Sequence, residues 1–141
     1  MSALLKDLRD DTFKKKVLTS SYRKAAKPFV KLARSKAPVA DDYVFRKNGD
    51  AIAPGTLKKS IGTWTYRKMK TPHLMLGAKF GRRSLKYDGW FYRFIEFGTV
   101  HQSAKPFLRP AWDATQGFIG SSINNDFSGI FNKFKNKHGI K

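Results

Sequence analysis

A single acidic residue inside an aromatic block constrains this chain more than any other feature. Glu96 is the only glutamate, and five of the eight residues from Trp90 to Phe97 are aromatic. Burying a carboxylate among apolar rings is costly unless it is paired or hydrogen-bonded. Its candidate partners are Arg93, Arg109 or nearby backbone amides, which would make the segment tightly constrained. The alternative interpretation is an ordinary core element whose carboxylate is exposed.

The same block is compatible with two secondary structures. Its aromatic content suits a strand, but Phe91, Phe94 and Ile95 stand at i, i+3 and i+4, the spacing of one helix face. Gly98 follows directly, as glycine does at many helix C-termini. We therefore predict a short helix over Trp90 to Phe97, with a strand as the alternative.

A long C-terminal helix is predicted to start near Pro110, because proline suits the first turn of a helix. Glycines at 117, 120 and 129 weaken this helix and can bend it. Core packing explains its apolar stripe better than a partner groove does. The stripe consists of Trp112, Ile119, Ile123, Phe127, Ile130, Phe131 and Phe134.

The N-terminal part of the chain has the pattern of one kinked helix or two successive helices. Residues 10–12 offer side chains that can cap a helix, and apolar residues follow at helical spacing. Pro28 interrupts the pattern, since an interior proline removes a backbone hydrogen bond and clashes with the preceding turn. The break is expected near Lys24 to Lys27. Pro38 ends the segment, because a residue before proline avoids helical backbone angles.

The middle of the chain has the pattern of short strands and turns. Residues 39–54 surround a β-prone piece with polar residues, which predicts a mobile flap or loose hairpin with its turn at Asn48-Gly49. Residues 55–60 are expected to form one helical turn. Alternation in residues 61–69 and again in residues 74–78 predicts two strands of an antiparallel hairpin.

These patterns together predict an α+β fold. A small antiparallel sheet is expected to pack against a long N-terminal helix, kinked or not, and a long C-terminal helix. At 141 residues the chain suits a single domain over 1–141. Within it, 39–54 is a flap or loop insertion and 136–141 a frayed tail.

The chain is strongly basic. Its 29 Lys and Arg against 10 Asp and Glu give a formal charge of +19, spread along the whole sequence. Such a charge suits an acidic neighbour, a well-solvated surface or nucleic acid. The basic loop over 80–89 is the best candidate for contacts with DNA or an acidic partner. The residues proposed for those contacts are Lys79, Arg82, Arg83 and Lys86.

Nothing in the sequence predicts catalysis. The three histidines are far apart and lack metal-binding spacing, and cysteine is absent, so thiolate chemistry and disulfides are excluded. Paired carboxylates are scarce, whereas a metal-dependent nuclease gathers several. We expect no enzyme activity, no cofactor and no metal site. No run approaches the roughly 20 apolar residues of a membrane helix, so a soluble protein made in a reducing cytoplasm, without a membrane partner, is expected.

Four segments, in order, resemble one known family. Tyr92 to Thr99 and Lys105 to Ala111 are similar to the signature of the tail-completion, or head-to-tail joining, proteins of long-tailed bacteriophages. Ala25 to Pro38 resembles the first helix of that family, which ends in Ala-Pro. Gly55 to Ile61 resembles its Thr-Gly-x-Leu-x-x-Ser-Ile turn, although the Gly-Thr order here is inverted. The stretch between Pro38 and Pro54 is longer than in the family.

The resemblance implies a structural virion protein at the phage neck or the top of the tail. Such a subunit forms a ring, which is expected to be hexameric, and contacts the tail terminator or tail tube protein and the head connector. It would also lie near packaged DNA in the lumen. The motif and interface candidates are Trp90, Tyr92, Phe94, Glu96, Phe97, Gly98, Pro106, Phe107, Arg109 and Pro110. Glu96 is expected to pair with a basic residue such as Arg109, in the protomer or across a subunit boundary. The alternative function is a non-catalytic, basic nucleic-acid-binding protein.

Overall fold

The fold is known from a computed structural model. The structure describes residues 11–41, 44–45, 49, 51–65, 74–79 and 87–137. Five helices lie in these ranges: α1 (Asp11–Ala25), α2 (Lys27–Lys36), α3 (Thr56–Ser60), α4 (Tyr92–Phe97) and α5 (Leu108–Lys137). Four short strands accompany them: β1 (Val44–Phe45), β2 (Ala51–Ile52), β3 (Ile61–Thr65) and β4 (Leu74–Ala78). The predicted α+β class is confirmed, with helix predominating.

The N-terminal segment forms two successive helices, one of the two predicted arrangements. α1 ends at Ala25 and α2 begins at Lys27, so the break lies at Ala26. Pro28 falls in the first turn of α2, where its missing N–H costs no helical hydrogen bond. The helical ladder still continues through the junction at one point, because Ala26 N–H donates to Tyr22 O at 3.0 Å.

The strands form two separate pairs. β1 and β2 are antiparallel, with Val44 opposite Ile52 and Phe45 opposite Ala51. This is the hairpin predicted for residues 39–54, and Gly49 within its turn has a φ of +85°, which favours glycine. β3 pairs with β4. The helical turn predicted over 55–60 is confirmed as α3.

The chain divides into two compact units. The first comprises Met1–Lys27, Trp64–Met75 and Gln116–Lys141. In its described part, Tyr22 and Phe127 pack edge to face with ring centroids 6.4 Å apart, and Lys24 Nζ lies 3.1 Å from Asp126 Oδ1. That ion pair is mostly solvent-exposed on the lysine side and contributes little stability.

The second unit comprises Pro28–Thr63 and Leu76–Thr115. Most of the buried apolar residues lie in this unit. They are Phe29, Ala33, Ala37, Leu57, Ile61, Ala78, Phe107 and Ala111. Helix α2 contributes to this core with Phe29, whose ring packs edge to face against Trp112 at 6.3 Å. Helix α2 is also tied to β3, because the Arg34 guanidinium donates to Ile61 O at 2.8 and 3.2 Å. Every residue of the site described next belongs to this unit.

Helix α5 is longer than any other described element. It runs for 30 residues, begins two residues before Pro110 and continues through Gly117, Gly120 and Gly129 without a break. It reaches Lys137, so the residues beyond, including the rest of the predicted frayed tail, lie outside the described part. Among the described residues, no helix combines the length and the apolar character that crossing a membrane requires. The single domain over 1–141 stays a prediction.

Candidate functional site around Glu96

The aromatic block forms a helix. α4 spans Tyr92–Phe97, so the helix prediction is confirmed and the strand alternative is wrong. The turn before it closes through Tyr92 N–H, which donates to Gly89 O at 2.9 Å, and Phe94 N–H, which donates to Phe91 O at 3.1 Å. The helix ends at Gly98, as the sequence predicts.

Two backbone hydrogen bonds connect the turn before α4 to Lys79, directly after β4, and to Ser60, at the end of α3. Lys79 N–H donates to Ser60 O at 3.0 Å, and Gly89 N–H donates to Lys79 O at 2.8 Å. Gly89 lies so close to Ser60 that an added Cβ would overlap the serine hydroxyl and would also come within 3.3 Å of Ala78 Cβ. Only glycine fits there without rearrangement. The turn before α4 is therefore anchored through the backbone to Lys79, which follows β4, and through Lys79 to the end of α3.

Glu96 caps the N-terminus of α5 from a different helix. Phe107 N–H and Leu108 N–H donate to Oε2 at 2.8 and 2.9 Å, and Arg109 N–H donates to Oε1 at 2.9 Å. The residue is 6% exposed. The first N–H groups of a helix have no partner inside the helix, and a negative charge beside them is favoured by the helix dipole. This carboxylate therefore satisfies donors that burial would otherwise leave unpaired.

The capping accounts for every donor in this turn of α5. The amides of Phe107, Leu108 and Arg109 are all bound by Glu96, and the next residue, Pro110, has no N–H. Hydrogen bonds to charged groups contribute about 1.5–3 kcal/mol each, more than neutral ones. A carboxylate with three such bonds is well compensated for its burial.

The sequence left three kinds of partner open for Glu96: Arg93, Arg109 or nearby backbone amides. Backbone amides, one of the options left open by the sequence, hold the carboxylate. Within the protomer, the backbone N–H of Arg109 makes the bond while its side chain is exposed. An ion pair of Glu96 with a basic residue across a subunit boundary stays a prediction. A buried helix N-terminus supplies several donors at fixed positions, and it does so without ordering a long side chain.

The loop from Gly98 to Pro106 is closed on itself. Thr99 N–H donates to Gln102 O at 2.8 Å and Gln102 N–H to Thr99 O at 3.3 Å, which pairs the two ends of a tight turn. Lys105 N–H then donates to Ile95 O at 2.8 Å and ties the returning chain to α4. The loop therefore presents the tip of the turn, Val100, at a defined place.

Gly98 is required at the start of this loop. Its φ of +76° and ψ of −179° lie in a region that is essentially open to glycine alone. A Cβ there would lie 2.8 Å from Ala104 N and 2.9 Å from Gln102 O, both backbone atoms that cannot turn away. Local geometry therefore explains why glycine occupies position 98.

The outer face of α4 is apolar. The side chains of Trp90, Phe94 and Phe97 are 41%, 48% and 69% exposed, and Val100 in the adjoining turn is 97% exposed. The rings of Trp90 and Phe94 pack edge to face with centroids 5.9 Å apart. We call Trp90, Phe94, Phe97 and Val100 the α4 face. Val100 was not among the site residues predicted from the sequence, although it lies in the short loop between Thr99 and Lys105, which joins the two segments of the motif.

The remaining predicted site residues are divided between core, surface and undescribed positions. Phe107 is fully buried, Pro110 and Tyr92 are half-buried, and Pro106 and Arg109 are exposed. Lys79 is half-buried, and its side chain runs beside Gly62, where an added Cβ would lie 3.5 Å from the lysine Cε. The other proposed DNA or acidic-partner contacts, Arg82, Arg83 and Lys86, lie outside the described residues.

Chemical groups suited to metal binding do not gather in the described part of the chain. No cluster of three or more His, Asp or Glu side chains is found among those residues. His101 is exposed, and its backbone N–H donates to Thr99 Oγ1 at 3.3 Å. What the site offers is a rigid apolar face supported by a buried acid.

Comparison with known proteins yields no relative. The chain matches no protein-family model, and neither a curated protein nor a solved structure resembles it closely enough to count as a match.

Proposed function

We propose that this protein is a structural subunit of the neck of a long-tailed bacteriophage, required for tail completion and for joining head to tail. The proposal starts from the resemblance of Tyr92 to Thr99 and Lys105 to Ala111 to the joining-protein family. In the virion it acts as one subunit of a ring. Its neighbours there are the tail terminator or tail tube protein and the head connector.

The observation that best supports this proposal is the capping of α5 by Glu96. The two most similar segments meet at this carboxylate, which accepts N–H groups from Phe107, Leu108 and Arg109 at 2.8 to 2.9 Å. The motif residues are thereby given a structural use that requires no catalysis. Such a use fits a protein whose task is to hold a shape between two larger assemblies.

The second candidate function is a non-catalytic nucleic-acid-binding protein. The observation in its favour is the formal charge of +19. Binding that rests on phosphate contacts falls steeply as salt rises, because counterions are released on association. A neck subunit near DNA can show the same dependence, so affinity for nucleic acid alone does not separate the two candidates. Competition by an acidic protein favours the neck, and retention of nucleic acid at high salt favours the alternative.

The neck proposal is tested by electron microscopy of lysates from a phage or prophage that carries a null allele of this gene. We expect filled heads beside separate or abnormal tails, and joined virions once the wild-type protein is supplied. Complementation with Glu96→Ala is expected to give fewer joined particles. Asp113→Ala, which removes an exposed acid from the same region of α5, is the matched control and should restore joining fully. Normal virions from the null allele would refute the proposal.

A further inference from the structure

From the exposure and the charge around α4, we infer that the α4 face is a docking surface for an acidic protein. Its apolar centre is Trp90, Phe94, Phe97 and Val100, and we call the exposed basic residues Arg93, in α4, and Lys105, bonded to α4 through its backbone, the border of this face. The surface is defined by exposure and charge alone, so normal virions from a null allele would leave it standing.

The apolar residues of this face are arranged in one row. Phe94 and Phe97, three residues apart in α4, share one side of the helix, and Trp90 lies in the turn that leads into it. The 5.9 Å contact between the rings of Trp90 and Phe94 agrees with that arrangement. Single exposed apolar residues are normal on a protein surface, but clusters of large ones mark interaction sites.

Folding does not require two of these side chains, those of Phe97 and Val100, to be apolar. The position of α4 is set from its other side, where Glu96 is buried and holds the first turn of α5. The side chains of Phe97 and Val100, 69% and 97% exposed, contribute little buried area to the fold. Their apolar character therefore calls for a use outside the protomer.

The face is also preorganised. Backbone hydrogen bonds of Gly89 and Lys105 hold the two ends of α4. The paired backbones of Thr99 and Gln102 fix the turn that carries Val100. A surface that is already ordered loses less conformational entropy on binding, so more of its contact energy becomes affinity. Aromatic anchors on a rigid element are typical of interface hot spots.

Charge decides the kind of partner. Arg93 of α4 and Lys105, whose N–H donates to Ile95 O, are exposed, and they outnumber the acid beside Trp90, Asp88, whose carboxylate accepts the Trp90 N–H at 3.1 Å. The acid of this helix, Glu96, is buried, and its oxygens are already occupied by amides. An acidic rim on the partner would complement this border, whereas a second copy of a chain with formal charge +19 would bring like charges together. An exposed aliphatic tip such as Val100 fits a protein pocket, since it offers no ring on which a base can stack.

The test measures binding of the full chain to three probes by fluorescence anisotropy. The first is an amphipathic helical peptide with Leu on one face and Glu on the other. The second replaces each Glu by Gln, and the third is oligothymidylate. We expect the acidic peptide to bind more tightly than its Gln counterpart, because the border of the α4 face is basic.

Variants then locate the binding site. The double variant Phe97→Ser with Val100→Ser is expected to weaken binding of the acidic peptide at least about tenfold, the effect of losing a hot spot. Its matched control is Phe118→Ser with Phe131→Ser, two phenyl groups on α5 that are 58% and 62% exposed. That control should bind within about twofold of the wild type, as expected for residues outside the interface. Lys105→Glu should weaken the acidic peptide but not the Gln peptide, whereas Lys31→Glu should change neither.

Three results would overturn the inference. Equal losses in the two double variants would mean that the peptide binds the general positive charge. A larger loss of oligothymidylate than of peptide affinity in the α4 variant would assign the face to nucleic acid. Self-association of the wild type that the α4 variant abolishes, measured by sedimentation equilibrium, would make a second copy the occupant. The substituted residues are all exposed and lie outside the buried core, and matching unfolding midpoints would verify that the variants are folded.

Discussion

Helices α2 and α4 contain the same kinds of residue but bury opposite kinds of side chain. α2 buries Phe29 and Ala33 and exposes its three lysines and Arg34, as an amphipathic surface helix does. α4 buries its acid, Glu96, and exposes Phe94 and Phe97. The hydrophobic effect positions α2. Helix α4 is positioned by Glu96, which accepts hydrogen bonds from three backbone N–H groups at the N-terminus of α5.

In these two helices, whether a side chain is buried depends more on the partners available inside the protein than on the polarity of the side chain. Phe29 finds a ring, that of Trp112, at 6.3 Å. Glu96 finds a helix N-terminus, where a negative charge is satisfied and favoured. The phenyl groups of α4 are less enclosed: Phe94 packs against Trp90 at 5.9 Å but stays 48% exposed, and Phe97 is 69% exposed, so both remain available for contacts outside the protomer. The following substitutions test each side of this contrast.

The largest effect is expected from Phe29→Ala in α2. The side chain is 3% exposed, and removing a buried phenyl leaves a cavity that the surroundings fill only in part. We expect the free energy of unfolding to fall by about 3–5 kcal/mol. Urea denaturation measures this, and a loss below about 1 kcal/mol would mean that α2 is not held mainly by apolar burial.

Glu96→Ala should come next, and it should weaken the fold although it replaces an acid by an apolar residue. Three amides lose their acceptor inside a buried turn. The expected loss is about 3 kcal/mol, measured by the same denaturation. Glu96→Gln keeps one acceptor oxygen but turns a donor toward the third amide, so it should recover only part of the loss. An alanine variant as stable as wild type would remove capping as the reason for burial.

Gly98→Ala is expected to cost less than Glu96→Ala, about 2 kcal/mol. The added Cβ meets the backbone at Ala104 and Gln102, and alanine does not favour a φ of +76°. Gly117→Ala is the matched control, because it lies in helix α5 with open space around the new methyl group. It should leave stability unchanged or raise it, since alanine favours helix more than glycine does. Thermal unfolding of the pair would show whether the loop geometry or the loss of a glycine matters.

Phe97→Ser should have the smallest effect, within about 0.5 kcal/mol of wild type. The ring is 69% exposed, so little buried area is lost. The comparison with Phe29→Ala therefore sets one phenyl group of α4 against one of α2 in the same denaturation assay. Equal losses from the two would show that the α4 face is packed and not free for docking.

Sequence patterns were sufficient where one local rule applies. Pro28 predicted the break between α1 and α2, because the geometry of proline depends only on its neighbours. Gly98 predicted the end of α4 for the same kind of reason, and the spacing of Phe91, Phe94 and Ile95 predicted its helical state. The hairpin over 39–54 and the turn at α3 also followed from local signals.

The sequence could not specify contacts between distant segments. The lone glutamate indicated a constrained acid, but its amide donors lie 11 to 13 residues further along the chain, and a basic side chain was an equally reasonable partner. The exposure of Phe94 and Phe97 was likewise hidden, because helical spacing says which residues share a face but not which face is buried. The clearance at Gly89 depends on Ser60 and Ala78, which no local pattern connects to it.

The two prolines beside the Glu96 contact set the register of α5. Pro106 and Pro110 have no N–H, so Phe107, Leu108 and Arg109 form a window of three donors with a blank position on either side. A slip of one residue would bring a proline nitrogen to the carboxylate and lose a bond. Each residue of a helix turns it by about 100°, and 30 residues extend about 45 Å. One carboxylate thus sets the rotational phase of a helix far longer than its own.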